Sequence, residues 1–423
     1  MARIKAFRGI RYNKEKINYS DVVTQPYDKI SPELLDAYYE RSPYTAAKLI
    51  RNKAADPYQA AATELQNWLN DKILLQDEQP AIYAYQQTYK INGEPKTRRG
   101  FVALVGLEDF AKKIILPHEK TLAKPKADRL NLLRATRAHC GQIFFLYSDP
   151  QKKVEALLQN ALNSAPDETA VDHFGDTHTL WKIDDAKIIQ AVSAVLADKQ
   201  LLIADGHHRY ETSCNFAQEN GAALGAESPY GYTMATLVNM EDEGLTVLPT
   251  HRLAHGLAGF SEAEFLKKAA EYFDLTPRHA LEHLLNALQE QRAAGKISLG
   301  FYAGQSLLYE LTLRDPSVMA KLAANKSEAW RQLDVAVLHT LVLENILGLS
   351  KEKQEAQENL TYIRAAHSAF EQVLNGQEQA AFFLNSTTVQ QTYATVLAGD
   401  IMPQKSTDFY PKLLSGLVIY KIP

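Results

Sequence analysis

The stretch Ala204-Asp205-Gly206-His207-His208-Arg209-Tyr210-Glu211-Thr212 gathers acid, base and guanidinium side chains at one point of the chain. It follows the apolar run Gln200 to Ala204, which reads as a strand, and it opens a segment of helical pattern running to about Asn220. The first turn of a helix leaves backbone N–H groups unpaired and carries the positive end of the dipole. Three consecutive basic side chains there oppose that dipole, and an anion among them would relieve the cost. The stretch therefore reads as a phosphate-binding helix mouth. Arg209 supplies a two-pronged fork, His207 and His208 donate or accept, and Gly206 permits a tight turn and close approach of a ligand. Asp205 can hold a histidine or a metal-bound water. Four-residue spacing stacks His207 over Glu211 and His208 over Thr212. The plain alternative is a helix capped by Asp205, with solvated polar residues.

A second group, Pro117-His118-Glu119-Lys120-Thr121, sits at the end of a short apolar strand from Lys113 to Leu116. A carboxylate beside His118 can act as a general base or as a magnesium ligand, and Lys120, Lys124, Lys126 and Arg129 can neutralise phosphates. Between Lys112 and Arg137 eight Lys or Arg face only Glu119 and Asp128. Arg134 and Arg137 either extend this field or form a solvated helix face. Thr250-His251-Arg252 is a weaker echo of the same chemistry, and Thr212, His251 and Arg252 are the expected substrate contacts. Tyr27-Asp28 and Lys405-Ser406-Thr407 with Lys412 are polar loop clusters that specify nothing on their own.

These groups need elements to position them. Ile4 to Tyr12 reads as an opening strand, and Ser31-Pro32 starts a helix to about Glu40. Tyr58 to Leu74 carries a helical stripe of Ala61, Leu65, Trp68, Leu69 and Ile73. Ala81 to Ile91 and Gly100 to Leu107 read as a strand pair turning at Asn92-Gly93. Asp128 to Ala138 reads as a helix, Gln142 to Tyr147 as a strand, and 151 to 163 and 185 to 198 as amphipathic helices. Strands follow at Thr233 to Asn239 and from Leu245 towards Arg252. Beyond about 260 helices dominate, with strands near 297 to 302, 307 to 313, Ala381 to Asn385 and Gly416 to Ile422. The expected organisation is an N-terminal α/β domain, 1–255, carrying both loops, and a C-terminal α+β domain, 256–423.

Composition sets the class. A chain of 423 residues exceeds what one core supports. With 46% apolar and 23% charged residues it has ordinary globular usage, and no apolar run approaches a membrane span. The opening residues lack the pattern of a secretory signal. Two cysteines, Cys140 and Cys214, form no metal spacing. A cytoplasmic location without membrane association is expected. The net charge of -4 argues against a general nucleic-acid coat. The expected partner is a small phosphate-bearing molecule, and a homodimer is left open.

The segments LPHEKT, PKADRLNLLRATRA, ADGHHRYETS, LPTHR and MPQKSTDFYPKLLSGLVIY, in this order, resemble the bacterial family called domain of unknown function 1015. Gly206-His207-His208-Arg209-Tyr210 also resembles the Gly-x-His-Arg signature of the ParB and sulfiredoxin superfamily, in which a helix N-terminus binds nucleotide phosphates. Free-serine kinases of that superfamily carry a strand followed by a His-Glu loop whose Glu acts as base, and Pro117-His118-Glu119 is similar to that loop. The resemblance implies a mixed α/β fold with a ParB/sulfiredoxin-like nucleotide-binding core, helical insertions and an α+β C-terminal domain. It implies ATP or ADP with Mg2+ as cofactors. Glu119, His118, Asp205 and His208 would be catalytic. Gly206, His207, His208, Arg209, Lys120, Lys126 and Arg129 would hold the nucleotide, and Asp205 and Glu119 the metal. The expected function is a nucleotide-dependent phosphotransferase on a small hydroxylated metabolite, with free serine the first candidate. The alternatives are a ParB-like nucleotide-binding regulator or DNA-associated switch, and a metal-dependent hydrolase built on Asp205, His207, His208, His118 and His251. About 85 residues separate Glu119 from Asp205, more than a minimal domain of this kind needs.

Overall fold

The computed structural model describes residues 1–121 and 123–423, and the side chains of 123–125, Lys124 among them, lie outside the described residues. The chain forms two compact units, one of residues 1–246 with 411–423 and one of residues 247–410. Residues 411–423 thus belong to the first unit, although their sequence position suggested the second. Leu413, Leu414, Leu417, Val418 and Ile419 are all buried there. Ile419 and Ile10 exchange backbone hydrogen bonds of 2.9 and 2.8 Å, and Ser415 and Thr24 do the same at 2.9 and 3.1 Å.

The first unit is built on a nine-stranded mixed sheet. Its strands are β1 (Ile4–Lys5), β2 (Ile82–Ile91), β3 (Glu94–Gly106), β4 (Ile115–Leu116) and β5 (Ile143–Tyr147). They continue as β6 (Glu168–Val171), β7 (Thr177–Ile183), β8 (Leu201–Asp205) and β9 (Tyr232–Asn239). The order is β4–β8–β5–β9–β3–β2–β7–β6, with β1 also on β3. Strands β4 and β8 run parallel, as do β5 and β9, and the other pairs are antiparallel. The β2–β3 hairpin turns on Asn92 and Gly93, both at positive φ (51° and 85°), which suits the right-handed twist of the flanking strands. The apolar faces of Phe101, Phe145, Leu201, Ile203 and Leu237 meet in one core, against which Tyr210 packs.

Helix α1 (Ala123–Thr136) starts five residues before the expected Asp128 and ends where Arg137 turns left-handed at φ 48°. Helix α2 (His207–Glu219) follows β8 directly. The expected opening strand is two short strands, Ile4–Lys5 and Ile10–Tyr12, in different sheets.

The second unit holds a six-stranded sheet, entirely antiparallel. Its strands are β10 (His251–Ala254), β11 (Phe273–Arg278), β12 (Ser298–Tyr302), β13 (Leu308–Leu313), β14 (Leu360–Ile363) and β15 (Ala380–Phe383), in the order β11–β13–β12–β15–β10–β14. Phe265, Phe301 and Phe382 centre its core, with ring centroids of Phe265 and Phe301 4.2 Å apart. Both units are mixed α/β. Among the described residues no helix is long and apolar enough to cross a membrane.

Candidate functional site at a helix mouth

Parallel pairing joins what the sequence separates. Leu201 and Leu202 of β8 lie opposite Ile115 and Leu116 of β4, so both strands end at the same edge. The Pro117–Thr121 loop leaves one and Asp205–Arg209 leaves the other, side by side. The carboxyl ends of neighbouring parallel strands are where open α/β sheets place ligands. The β8 register shifts between Ile203 and Asp205, an irregularity that re-aims the strand end.

Gly206 takes φ 94°, ψ 28°, a left-handed conformation that a side chain would strain. A Cβ there would also stand 3.1 Å from Arg209 Nε and Nη2. The first intrahelical bond of α2 runs from Tyr210 N–H to Gly206 O at 3.0 Å, leaving the preceding amides of the turn facing outward. Two buried histidines lock the loops together. The His118 amide donates to His207 Nε2 at 3.2 Å, and His118 Nδ1 donates to Ile203 O at 2.7 Å. Their rings meet edge to face with centroids 4.6 Å apart. His118 Nε2 is 3.9 Å from Glu119 Oε1, and the Glu119 side chain is 30% exposed, open to a reactant.

Burial lowers the pKa of both histidines, with Glu119 working the other way on His118 and the neighbouring His118 adding to the effect on His207. Burial also pushes His139 down to about 4. These rings are neutral when folded, whereas in the unfolded chain each takes up a proton near pH 6.5. Stability is therefore full above that pH and is lost as pH falls below it. Each such histidine contributes a slope of about 1.4 kcal/mol per pH unit. Urea titrations at pH 7.5 and 5.5 should show the loss, reduced by one increment in His139→Gln; equal stability at the two pH values would refute the neutral assignment.

Cations converge on Asp205. Arg209 Nη2 donates to Oδ2 at 2.6 Å and Lys412 Nζ to Oδ1 at 3.2 Å. Burial alone would raise the Asp205 pKa, but Lys412, Arg209 and Lys29 together hold it below the ordinary carboxylate range. Arg209 Nη1 donates to Gln142 O, and its Nε is buried without a hydrogen-bond partner among the described residues. Lys412 is held from beneath: Arg98 Nη2 donates to Pro411 O at 2.5 Å and Gln87 Nε2 to Lys412 O at 3.0 Å. Arg98 is 1% exposed, its Nε donates to Gln87 Oε1 at 3.0 Å, and its guanidinium lies 4.7 Å from the Phe144 ring centroid. Burial lowers its pKa to about 10.

The remaining sequence candidates divide. Lys126 Nζ donates to Glu211 Oε2 at 2.7 Å and Thr121 Oγ1 reaches the same carboxylate at 2.8 Å, so Lys126 ties α1 to α2. Thr212 is buried, its hydroxyl 3.4 Å from Lys126 O. Arg129 lies 4.0 Å over the Tyr27 ring and donates to Ile50 O at 2.8 Å. Lys120 is exposed on the loop. The His208 pKa is lowered by burial, while Asp28, Glu211 and Glu119 oppose the shift. Arg134 pairs with Glu219 at 2.6 Å on the surface, with side chains 49% and 39% exposed. Arg134→Ala should leave the midpoint of a denaturant titration unchanged, because an exposed pair of this kind is screened by solvent.

His251 and Arg252 lie in the second unit. His251 Nδ1 accepts from the Leu384 amide at 3.2 Å, and buried Arg252 donates to Gln404 O at 3.1 Å, to Lys405 O at 3.0 Å and to His339 Nε2 at 3.2 Å. Among the described residues no three His, Cys, Asp or Glu side chains gather as a metal-binding group. Asp205, engaged by two cations, does not suit a magnesium ion; Glu119 keeps a carboxylate that does.

The first unit is thus an α/β domain with a cationic helix mouth at the carboxyl ends of two parallel strands. The chain belongs to the family described as Protein of unknown function (DUF1015), whose model matches residues 4–336. Comparison with curated proteins gives no match. Similar solved structures include a conserved hypothetical protein from Pyrococcus furiosus, at 14% identity and TM-score 0.34 over 70% of this chain and 87% of that one. Another is a free serine kinase mutant in complex with ADP, at 12% identity and TM-score 0.35 over 70% and 84%. A third is SbnI with C-terminal truncation from Staphylococcus aureus, at 10% identity and TM-score 0.34 over 74% and 85%.

Proposed function

We propose that the first unit has a ParB/sulfiredoxin-like core that binds ATP or ADP through its phosphates at the α2 mouth. It would transfer a phosphoryl group to, or from, a small hydroxylated metabolite, with free serine the first candidate. The observation that carries this reading is the pairing of β4 with β8, which sets the Glu119 carboxylate beside a helix mouth where Arg209, Lys412 and Lys29 outnumber Asp205. The unpartnered Arg209 Nε and the outward amides of the first turn suit phosphate oxygens. Phosphoryl transfer asks the protein chiefly for positioning and charge stabilisation. Glu119 would accept the hydroxyl proton as general base, with His118 fixing its loop. The Glu119 loop would hold a magnesium ion where one is needed, and that ion would supply charge neutralisation.

The test is calorimetry and thermal shift with ATP and ADP in the presence of magnesium. Ligand binding to the native state raises apparent stability by mass action. The wild type should bind, and Arg209→Ala should bind at least tenfold more weakly. No binding of either nucleotide at millimolar concentration would sink the reading. Binding without any phosphorylated product in a serine assay or a metabolite screen would make the protein a nucleotide-binding regulator.

A further inference from the structure

Alongside α2 runs a narrow cleft of about 60 Å³. Its apolar lining comes from Ile50, Leu132, Leu133, Ala138 and Cys140, and its hydroxyls from Thr212, Ser213, Thr233 and Ser415. Tyr27 and Arg129, stacked on each other, and Arg209 complete it. A second hollow, of about 450 Å³, shares Tyr27, Ile50, Arg129 and Leu132 with it, so the two are neighbours on one surface.

The helix turns about 100° per residue. Arg209, Thr212 and Ser213 therefore share one face, and His208 stands roughly 90° away from its centre. The Glu119 loop is on the other side, bonded through the His118 amide to His207. Phosphates at the mouth lie between the two. For a ligand that presents its phosphate to Glu119, the 209–212–213 face leads its non-reacting part into the cleft.

Resting on the reading proposed above, we infer that this cleft seats the flat heteroaromatic base of a nucleoside phosphate whose phosphates occupy the α2 mouth. Leucine and alanine side chains give the base an apolar bed, and the planar Arg129 guanidinium offers a stacking surface. Ser213 Oγ, whose proton goes to Arg209 O at 2.9 Å, stands 3.2 Å from Thr233 Oγ1, itself 3.4 Å from His139 Nδ1, and has an acceptor lone pair for an exocyclic amino group of the base. Arg209 belongs to both halves of the site and couples them.

Calorimetry with ADP and with inorganic pyrophosphate, each with magnesium, separates the cleft from the mouth. Wild type should bind ADP at least tenfold more tightly than pyrophosphate. Leu132→Trp, which fills the cleft from a partly exposed position, should lose that advantage while its pyrophosphate affinity stays within twofold. Equal binding of the two ligands by wild type, or unchanged ADP affinity in Leu132→Trp, would overturn the inference while leaving the phosphate site standing. Failure of wild type to bind either ligand would remove the underlying reading itself. Photolabelling of wild type with 8-azido-ADP provides a check independent of the variant's folding: labels within 129–141, within 209–213 or on Tyr27, Ile50, Thr233 or Ser415 support the cleft, and labels only elsewhere refute it.

Discussion

Glu119→Gln is expected to lower the rate of phosphoryl transfer by about 10²- to 10⁴-fold, the usual loss when a general base is removed, with nucleotide affinity preserved. The amide keeps the size and hydrogen-bonding reach of the carboxylate but cannot take up the hydroxyl proton. His118 holds the loop through its Nδ1 bond to Ile203 O and its amide bond to His207, neither of which involves the Glu119 side chain, so the substitution leaves the mouth intact. Single-turnover measurements on variant and wild type at saturating nucleotide isolate the chemical step. A variant with full rate would show that Glu119 is not the base. A variant that loses binding and rate together would place Glu119 among the groups that hold the nucleotide.

The second large effect concerns stability. Asp205→Ala leaves Arg209 and Lys412 facing each other without the carboxylate that joins them. Breaking a buried pair from one side costs about 3–5 kcal/mol. Since the Asp205 side chain is 21% exposed, solvent screening brings the expectation to about 2–3 kcal/mol. The pH dependence gives a second reading of the same interaction. The Asp205 pKa is depressed, so its contribution is complete above the ordinary carboxylate pKa and disappears as pH falls through the lower folded value. Wild type and Asp205→Ala should therefore differ by a constant amount from neutrality down to about pH 4 and converge only well below it, as pH approaches the depressed folded value. Adding Lys412→Met to Asp205→Ala should restore part of the loss, because one stranded cation is removed with the acid. Strict additivity in that cycle would show that Lys412 and Asp205 do not interact.

The features legible in the sequence were the local ones. Asp205 to Arg209 declared a helix mouth because a strand, a glycine and basic residues at a helix start are neighbours in the chain. Asn92-Gly93 declared its hairpin for the same reason. The meeting of the Glu119 loop with Asp205 was legible only through the resemblance and not from the residues, since it depends on a parallel pairing across a separation filled by β5, β6, β7 and several helices. Arg98 escaped notice altogether. It stands next to Arg99, and strand alternation turns one of any two adjacent residues inward, so the pair itself was the available signal. Lys412 and Tyr27 were visible as polar clusters, yet nothing local said that the first would reach Asp205 and the second would stack under Arg129. The basic run from Lys112 to Arg137 looked like one field. In the fold Lys126 and Arg134 are each matched by a glutamate of α2, Glu211 and Glu219.

The return of residues 411–423 to the first unit also sets a clock. A ribosome adds roughly 5–20 residues per second, so the 203 positions from Arg209 to Lys412 take on the order of 10–40 seconds to make. During that interval the whole of 247–410 is synthesised, while Asp205 and Arg209 await the lysine that completes their cluster. A nascent chain stalled anywhere in that stretch carries both loops and most of the sheet but lacks the lysine arm of the pocket. Completion of the Asp205, Arg209 and Lys412 cluster is thus a late event in the life of each molecule, possible only after the second unit has been translated.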